Sequence, residues 1–289
     1  MKSKKILLLL VMVLSLSIFL FGCGKDSNVS EGNGDVAGDN ETGTAEPMVL
    51  RVGATPVPHG EILEFISPLL QEKGVELEIR EFTDYVLPNM ALENKELDAN
   101  FFQHLPYLED FNEKNNTNLS SVVAVHFEPL GLYPGKTKTL EEIKKGDIIA
   151  VPNDTTNEAR ALLLLESVGI IKIKENAGLA ATAQDIIENP YEVQIKELDA
   201  AQLTRSLPDV NFAVINGNFA VQAGLDVSKD ALKAEDKDSL AAQTFANIVV
   251  VRTGDEEREE IKILTEVITS PEVREFINEK YKGTVIPVF

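Results

Sequence analysis

Apolar residues recur along this chain with two alternating periods. Residues 48–55 and 75–82 contain short apolar runs, the second with apolar side chains at every other position, which predicts β-strands. Between them, residues 59–74 carry apolar side chains at helical spacing and end on Gly74, as an amphipathic helix does. This part of the chain therefore predicts a β-α-β unit.

The same alternation continues to the C-terminal region. The predicted helices lie at about 85–96, 106–114, 155–169 and 200–207, with two more after residue 254. The predicted strands lie at 99–103, 121–134, 147–153, 191–199, 212–217 and 246–252. Short connections join these elements, as in a compact α/β protein.

Strand–helix alternation predicts an α/β fold whose sheets are mostly parallel and are flanked by helices. A chain of 289 residues exceeds the roughly 250 residues at which single cores stop growing, so we expect two lobes. The first lobe is assigned to residues 48–129 and 249–289 and the second to residues 130–248, with hinge crossings near Glu128–Tyr133 and Asn247–Val251. Open α/β sheets bind ligands at the carboxyl ends of their strands, which predicts a site in the cleft between the lobes.

The N-terminal segment predicts export. Three lysines precede an apolar run at residues 6–21, which is shorter than the roughly 20 residues that span a bilayer, so residues 1–22 are interpreted as a signal peptide. The run ends in Leu-Phe-Gly-Cys, and Cys23 is the only cysteine of the chain. Its position favours lipidation of the mature N-terminus by fatty acyl chains such as palmitate, and an incidental thiol is the alternative.

Residues 23–47 are interpreted as the lipidated cysteine and a disordered tether, because they contain no aromatic side chain and few apolar ones. The formal net charge of −20 makes nucleic acid and anionic lipid unsuitable partners. A solvated acidic surface accounts for this charge. The expected location is the extracytoplasmic face of the cell membrane, where the lipid anchor holds the protein.

An aromatic cluster follows the predicted short strand. Phe102, His104 and Tyr107, with Tyr85 from the preceding helix, would lie at the carboxyl end of that strand. Such rings can enclose a small apolar side chain, and a thioether sulfur gains roughly 0.3–1.5 kcal/mol per aromatic contact. Alternatively, Phe101 and Phe102 point to opposite faces, one of them in the core, and the other residues lie on the surface. Periodicity alone leaves both interpretations open.

A strand-to-helix turn supplies a candidate for binding a carboxylate. Thr155 and Glu158 have the spacing of a capping box, and Arg160 lies in the first turns of the predicted helix. A helix N-terminus attracts anions, and arginine can bind a carboxylate bidentately. A solvated arginine on the helix surface is the alternative.

Three asparagines lie at the ends of predicted strands. Asn216 and Asn218 follow one strand, and Asn247 begins another. An asparagine side chain can serve both an ammonium and a carboxylate. Formation of a turn by Asn-Gly-Asn is the simpler explanation for the first two.

The sequence does not favour an enzyme. It contains no Gly-x-Ser-x-Gly, Walker A or Gly-x-Gly-x-x-Gly motif, and no cofactor is expected. His59, His104 and His126 are far apart in sequence, so a zinc site would have to be assembled entirely by the fold.

Five segments carry a family resemblance: LRVGATPVPHGEIL, DANFFQHLPYL, IAVPNDTTNEARALLLLESVGIIKI, AVINGNFAVQAGL and ANIVVVR. Together with the lipobox-like sequence before them, they resemble the NlpA/MetQ family of lipoproteins, which are methionine-binding receptors of ABC importers. The resemblance extends from about Met48 to Phe289, and Phe-Gln-His-x-Pro-Tyr is its most specific segment. It favours interpreting the aromatic cluster as a cage.

The resemblance implies a type II periplasmic-binding-protein fold that closes over L-methionine and delivers it to a membrane permease. We expect a monomer. The cage would enclose the thioether, and the counterpart of Arg160 would hold the α-carboxylate. Asn216, with Asn218 as its competitor, and Asn247 would complete the polar contacts, and an apparent insertion relative to the family pattern lies at 233–247.

Ligand identity stays open, because some relatives take D-methionine or a methionyl dipeptide. A metal-binding receptor or a non-transport adhesin on the same fold is the alternative function.

Overall fold

The computed structural model describes residues 47–236 and 243–289. The predicted signal peptide, Cys23 and nearly all of the predicted tether lie outside the described residues. Within the described ranges, no helix has both the length and the apolar character needed to cross a membrane.

The strands of the described residues belong to two larger sheets and one small one. Their bounds are β1 Met48–Ala54, β2 Val75–Glu81, β3 Ala99–His104, β4 Leu119–Phe127, β5 Gly131–Pro134, β6 Ile148–Pro152, β7 Lys172–Ile173, β8 Ile186–Glu188, β9 Gln194–Leu198, β10 Phe212–Ile215, β11 Lys233–Ala234, β12 Asn247–Arg252 and β13 Ile286–Pro287.

The α-helices alternate with these strands. Their bounds are α1 Glu61–Glu72, α2 Leu87–Glu93, α3 Leu105–Asn115, α4 Thr155–Ser167, α5 Leu203–Ser206, α6 Gly217–Gln222, α7 Val227–Asp230, α8 Glu259–Ile268 and α9 Pro271–Tyr281.

The first sheet has the strand order β13-β4-β12-β3-β1-β2. Strand β1 is parallel to β2 and β3, whereas β12 is antiparallel to β3 and β4. Helix α1 packs on this sheet with Ile62, Ile66 and Leu70, which are four residues apart and fully buried. Gly74 follows the helix with φ of 81°, a conformation that glycine adopts without steric cost.

The second sheet has the order β11-β5-β10-β6-β9. Strand β6 is parallel to β9 and β10, whereas β5 is antiparallel to β10 and β11. Both faces are covered, because Val151 and Phe212 belong to one buried cluster and Ala150 and Ala213 to another. Such burial of alternate residues on opposite faces is typical of a central strand with helices on both sides.

The predicted α/β class is confirmed, but both sheets are mixed rather than mostly parallel. Each has two parallel strand pairs within the described residues, and the remaining pairs are antiparallel. The strands β5 and β12, by which the chain enters each sheet from the other, run antiparallel to their neighbours, and β13 also pairs antiparallel with β4.

The predicted long strand at 121–134 is wrong as a single element. It forms β4 in the first sheet and β5 in the second, separated by Glu128, Pro129 and Leu130. Pro129 has no N–H to donate to a strand ladder, which accounts for the interruption. The chain returns to the first sheet between Ala234 and Asn247, earlier than the crossing expected at 247–251.

Candidate functional site

A small cavity of about 20 Å³ is lined by residues at the end of β3 and by residues that follow β2, β6 and β10, together with residues next to the two crossings. The structure brings all eight predicted ligand-binding residues to this cavity: Tyr85, Phe102, His104, Tyr107, Arg160, Asn216, Asn218 and Asn247. Sequence reasoning missed four further lining residues, namely Gln103, Glu128, Asn157 and Gly217.

Three aromatic rings form one wall of the cavity. The centroid of the Tyr85 ring lies 5.9 Å from those of Phe102 and Tyr107, and the latter two are 6.1 Å apart and edge to face. Phe219 of α6 joins them, 5.2 Å from Tyr85. Phe101 points to the other face of β3 and is fully buried in the core of the first sheet. The alternation of Phe101 and Phe102 therefore follows strand geometry, with one ring in the core and one in the cavity wall.

His104 has a structural role as well as a place in the wall. Its Nδ1 accepts a hydrogen bond from the backbone N–H of Tyr107 at 3.2 Å, so it caps the N-terminus of α3. The proton therefore lies on Nε2, which donates to Asn157 Oδ1 at 3.2 Å. Burial, with a smaller effect from the Arg160 charge, lowers the pKa of His104 to about 3. The imidazole is neutral at physiological pH.

The guanidinium of Arg160 is buried and already engaged. Its Nε and Nη2 donate to the two carboxylate oxygens of Glu235 at 3.0 and 2.6 Å, and its Nη1 donates to Asn157 Oδ1 at 3.2 Å. The ring of Phe245 lies 4.2 Å from the guanidinium carbon. The alternative of a surface-solvated arginine is thus excluded. The donors left for a ligand are on the Nη1 side, because Glu235 occupies the Nε–Nη2 edge.

The predicted capping box at Thr155 and Glu158 is wrong. The N-cap is Asp154, whose side chain accepts from the backbone N–H of Asn157 at 3.1 Å. Thr155 is the first helical residue, and Glu158 instead accepts from the backbone N–H of Ala183. Aspartate is as good an N-cap as threonine or better, so the aspartate one residue earlier takes the position.

Asn157 joins the polar side of the cavity. Its Nδ2 donates to both carboxylate oxygens of Asp154, which orients its Oδ1 as an acceptor. That oxygen accepts from His104, Arg160 and Asn216, the last at 3.0 Å. The signal in the sequence that could have identified Asn157 is a polar residue one helical turn before Arg160.

Asn216 and Asn218 each have one unpaired polar atom. Tyr85 Oη donates to Asn218 Oδ1 at 2.6 Å, but Asn218 Nδ2 and Asn216 Oδ1 are buried without a hydrogen-bond partner in the described part of the chain. Buried polar atoms are usually paired, so these two point to a bound group that both accepts and donates. Neither asparagine serves only to form a turn.

Asn247 reaches the cavity from the first residue of β12. It lies opposite His104 on β3 and opposite His126 on β4. Its Oδ1 is 3.0 Å from Nε2 of His59. The antiparallel return of β12 therefore places its first residue at the edge where β3 ends.

Glu128 adds a buried carboxyl group to the cavity wall. It directly follows β4, and its Oε1 lies 2.7 Å from His126 Nε2 and 3.4 Å from His59 Nε2. A Cβ atom on Gly217 would lie 2.6 Å from the Cβ of Glu128, so only glycine fits there. Burial raises the pKa of Glu128. A charged residue directly after a buried strand was the signal that could have found it.

Gln103 belongs to a buried amide cluster beneath the aromatic wall. Asn89 Nδ2 donates to its Oε1 at 2.8 Å, and its Nε2 donates to Asn89 Oδ1 at 2.6 Å. Asn100 Nδ2 donates to the same Asn89 oxygen at 2.8 Å. These bonds tie α2, which begins two residues after Tyr85, to β3, which carries Phe102.

Two of the three histidines are brought together by the fold. His59, His126 and Glu128 have potential metal-ligand atoms within 4.8 Å of one another. Zinc bonds of about 2.0–2.1 Å in tetrahedral geometry place ligand atoms about 3.3 Å apart. The 2.7 Å separation of Glu128 Oε1 and His126 Nε2 fits a direct hydrogen bond instead. His104, on β3, is not part of this group.

Direct contacts join the elements of the two sheets across the cavity. Tyr85, next to the first sheet, donates to Asn218 of α6, and His104 of β3 donates to Asn157 of α4. The residues predicted to contact a ligand thus contact each other here. A ligand would have to replace several of these bonds with its own polar groups.

The chain resembles known proteins over most of its described length. The sequence model of a protein family described as NlpA lipoprotein matches residues 50–289. The D-methionine-binding lipoprotein MetQ of Salmonella typhimurium is 40% identical over 244 residues, which cover 83% of this chain and 89% of that protein.

Two solved structures share the fold. A nutrient binding protein from Burkholderia cenocepacia bound to methionine superposes with a TM-score of 0.79 at 41% identity, covering 83% of this chain and 100% of that one. A periplasmic substrate-binding protein of an ABC transporter from Coxiella burnetii superposes with a TM-score of 0.77 at 41% identity, again covering 83% and 100%. The predicted periplasmic-binding-protein type of fold is confirmed by these likenesses.

Proposed function

Because this chain belongs to the NlpA lipoprotein family, we propose that it is an extracytoplasmic lipoprotein that binds methionine in the cavity and delivers it to an ABC importer. It acts as a monomeric binding protein rather than as an enzyme. The likeness to the methionine-bound protein from Burkholderia cenocepacia, which covers that whole chain, supports methionine as the ligand.

The single observation that carries the proposal is the composition of the cavity wall. It combines the three aromatic rings with Arg160 and with an unpaired acceptor on Asn216 and an unpaired donor on Asn218. The rings suit a thioether, whose sulfur is polarisable. The guanidinium and amide groups suit the carboxylate and ammonium of a free amino acid. Methionine carries these three kinds of group in one small molecule.

Thermal unfolding with and without ligand tests this proposal. Methionine at 100 times its dissociation constant should add about 2.7 kcal/mol to the free energy of unfolding, because it binds only the folded state. Norleucine keeps the shape but lacks the sulfur and should stabilise less. Methionine sulfoxide introduces an oxygen that needs a partner and should stabilise least. An unchanged melting temperature with every methionine form would refute the proposal.

Titration of the protein with different methionine derivatives identifies the form of the ligand that it binds. Separate titrations with L-methionine, D-methionine and glycyl-methionine rank the three by affinity. We expect L-methionine to bind tightest.

The membrane anchor is part of the proposal and has its own test. Cys23→Ser should release the protein from the membrane fraction, because the thiol that would carry the acyl chains is lost. Ser27→Ala, four residues further along the predicted tether, is the control and should leave the protein with the membrane. Cell fractionation with immunoblotting measures both. A Cys23→Ser protein that stays membrane-bound after signal cleavage would exclude lipidation at this residue.

A further inference from the structure

A pair of histidines lies directly behind Glu128 and has no part in the function described so far. Both rings are buried, with His59 1% and His126 0% exposed. Their ring centroids are 4.9 Å apart, and each presents its Nε2 to the Glu128 carboxyl group. Histidines placed in this way can orient a carboxylate.

Hydrogen-bond partners define the proton position on His59. Its Nδ1 lies 2.7 Å from the hydroxyl of Thr55, and its Nε2 faces Asn247 Oδ1 at 3.0 Å and Glu128 Oε1 at 3.4 Å. The amide and carboxylate oxygens can only accept, so Nε2 carries the proton and the Thr55 hydroxyl donates to Nδ1. His59 therefore donates toward both Asn247 and Glu128.

The same reasoning applies to His126. Its Nε2 lies 2.7 Å from Glu128 Oε1, and its Nδ1 has no hydrogen-bond partner in the described part of the chain. With the proton on Nε2, the short contact is a charge-assisted hydrogen bond to a carboxylate. A proton on Nδ1 would instead leave a buried donor unpaired.

The electrostatics of the two rings agree with a donor role. Burial lowers the pKa of His59 to about 4 and that of His126 to about 3, so both rings are neutral near pH 7. Burial raises the pKa of Glu128, while the Arg160 charge and the backbone N–H of Asn218 act in the opposite direction. Donated hydrogen bonds are what a buried carboxylate needs to stay ionised.

Glu128 lacks a cationic partner of its own. It forms no ion pair with a lysine or arginine in the described residues, and Arg160 is paired with Glu235. A buried carboxylate that lines a cavity and has only neutral donors on its far side is suited to a cationic group of the ligand.

We propose that His59 and His126 are positioning residues that hold the Glu128 carboxylate toward the cavity, where it neutralises the α-ammonium of the ligand. The inference rests on the proposed function and adds a selectivity to it: a ligand needs a free ammonium group. Methionine derivatives without that group leave Glu128 buried and unpaired. The histidines act through Glu128 and do not touch the ligand themselves.

Binding of two ligands to three proteins tests this inference. The ligands are L-methionine and 4-(methylsulfanyl)butanoate, which is methionine without its amino group. The proteins are the wild type, His126→Leu and His126→Gln. We expect the wild type to prefer methionine about 100-fold, since the analogue leaves a buried carboxylate without its cation. His126→Leu removes the donor and should reduce this preference about tenfold.

His126→Gln is the matched control. Glutamine carries an N–H donor near the position of the histidine Nε2, so it should keep the preference to within about threefold of the wild type. Isothermal titration calorimetry gives both affinities for each protein. A purely structural role for His126 would weaken both ligands equally and leave their ratio unchanged, and this result would overturn the inference.

A measurement on the wild-type protein covers the case in which His126→Leu does not fold. In ¹⁵N-histidine NMR spectra of the methionine-bound protein, His59 and His126 should both be neutral with the proton on Nε2. A proton on Nδ1 of His126, or an imidazolium at pH 7, would overturn the inference.

The remaining outcomes are also decisive. If the wild type binds neither ligand, the proposed function fails and the inference fails with it. If the wild type binds methionine but His126→Leu keeps the wild-type preference for methionine over the analogue, the inference fails and the proposed function stands. Zinc binding to the wild type that is lost in His126→Leu would make the cluster a metal site and would likewise overturn it.

Discussion

Arg160→Ala is expected to weaken methionine binding more than about thirtyfold, which corresponds to at least roughly 2–5 kcal/mol. The proposed ligand carboxylate would lose its charge-assisted donors in a cavity where the arginine is only 4% exposed. Calorimetric titration of the purified variant measures the effect. Tyr107→Ala should cost less, since it removes chiefly one sulfur–aromatic contact and some buried area.

The pairing of Arg160 with Glu235 requires controls. Arg160→Ala also leaves a buried carboxylate without its partner, so the free energy of unfolding must be measured beside the affinity. Arg205→Ala is the control. Arg205 is an exposed arginine on α5 that does not line the cavity, so its removal should leave methionine binding unchanged. If Arg160→Ala bound methionine as tightly as the wild type, the carboxylate site would have to be sought at Asn216 and Asn247.

Acidification from pH 7 to 5.5 is expected to lower the free energy of unfolding by up to about 3–4 kcal/mol. Burial lowers the pKa of His59 to about 4 and the pKa values of His104 and His126 to about 3. The unfolded chain, with histidine pKa values near 6.5, therefore binds more protons than the folded chain below that pH. Their contribution to stability is complete above pH 6.5 and is lost as the pH falls toward 4.

Urea denaturation at the two pH values measures this loss. Glu128 and Asp154, whose pKa values are raised by burial, act in the opposite sense and make the stated figure an upper value. His126→Gln is the internal control and should lose about 1 kcal/mol less than the wild type on acidification, since one titrating group is gone. A His126→Gln protein that lost as much stability as the wild type on acidification would contradict the burial of a neutral His126.

The residues of the cavity show which features of the site local sequence patterns can predict. Strand alternation correctly separates Phe101 from Phe102, because successive side chains of a strand point to opposite faces. The predicted convergence of residues after β6 and β10 also follows from local order, since these parallel strands present their carboxyl ends at one edge of the second sheet. The family named from the quoted segments is confirmed by the match over residues 50–289.

Contacts between distant residues could not be predicted in this way. The pairing of Arg160 with Glu235 joins residues 75 positions apart, and that of His59 with Asn247 joins residues 188 apart. Neither is encoded in a short pattern. They depend on where two antiparallel strands, β5 and β12, enter the sheets, and strand direction is a property of the whole chain path.

The sequence by itself determined most element types, the α/β class, the family and eight of the residues that line the cavity, because these depend on side-chain period and on short motifs. Only the tertiary structure decided the pairings. It gave the guanidinium of Arg160 an internal carboxylate, placed two neutral histidines behind Glu128, and left Asn216 and Asn218 each with an unpaired atom. The physical reason is that hydrogen bonds and ion pairs act over a few ångströms, whereas the residues that form them are brought within that range only by the packing of the entire fold.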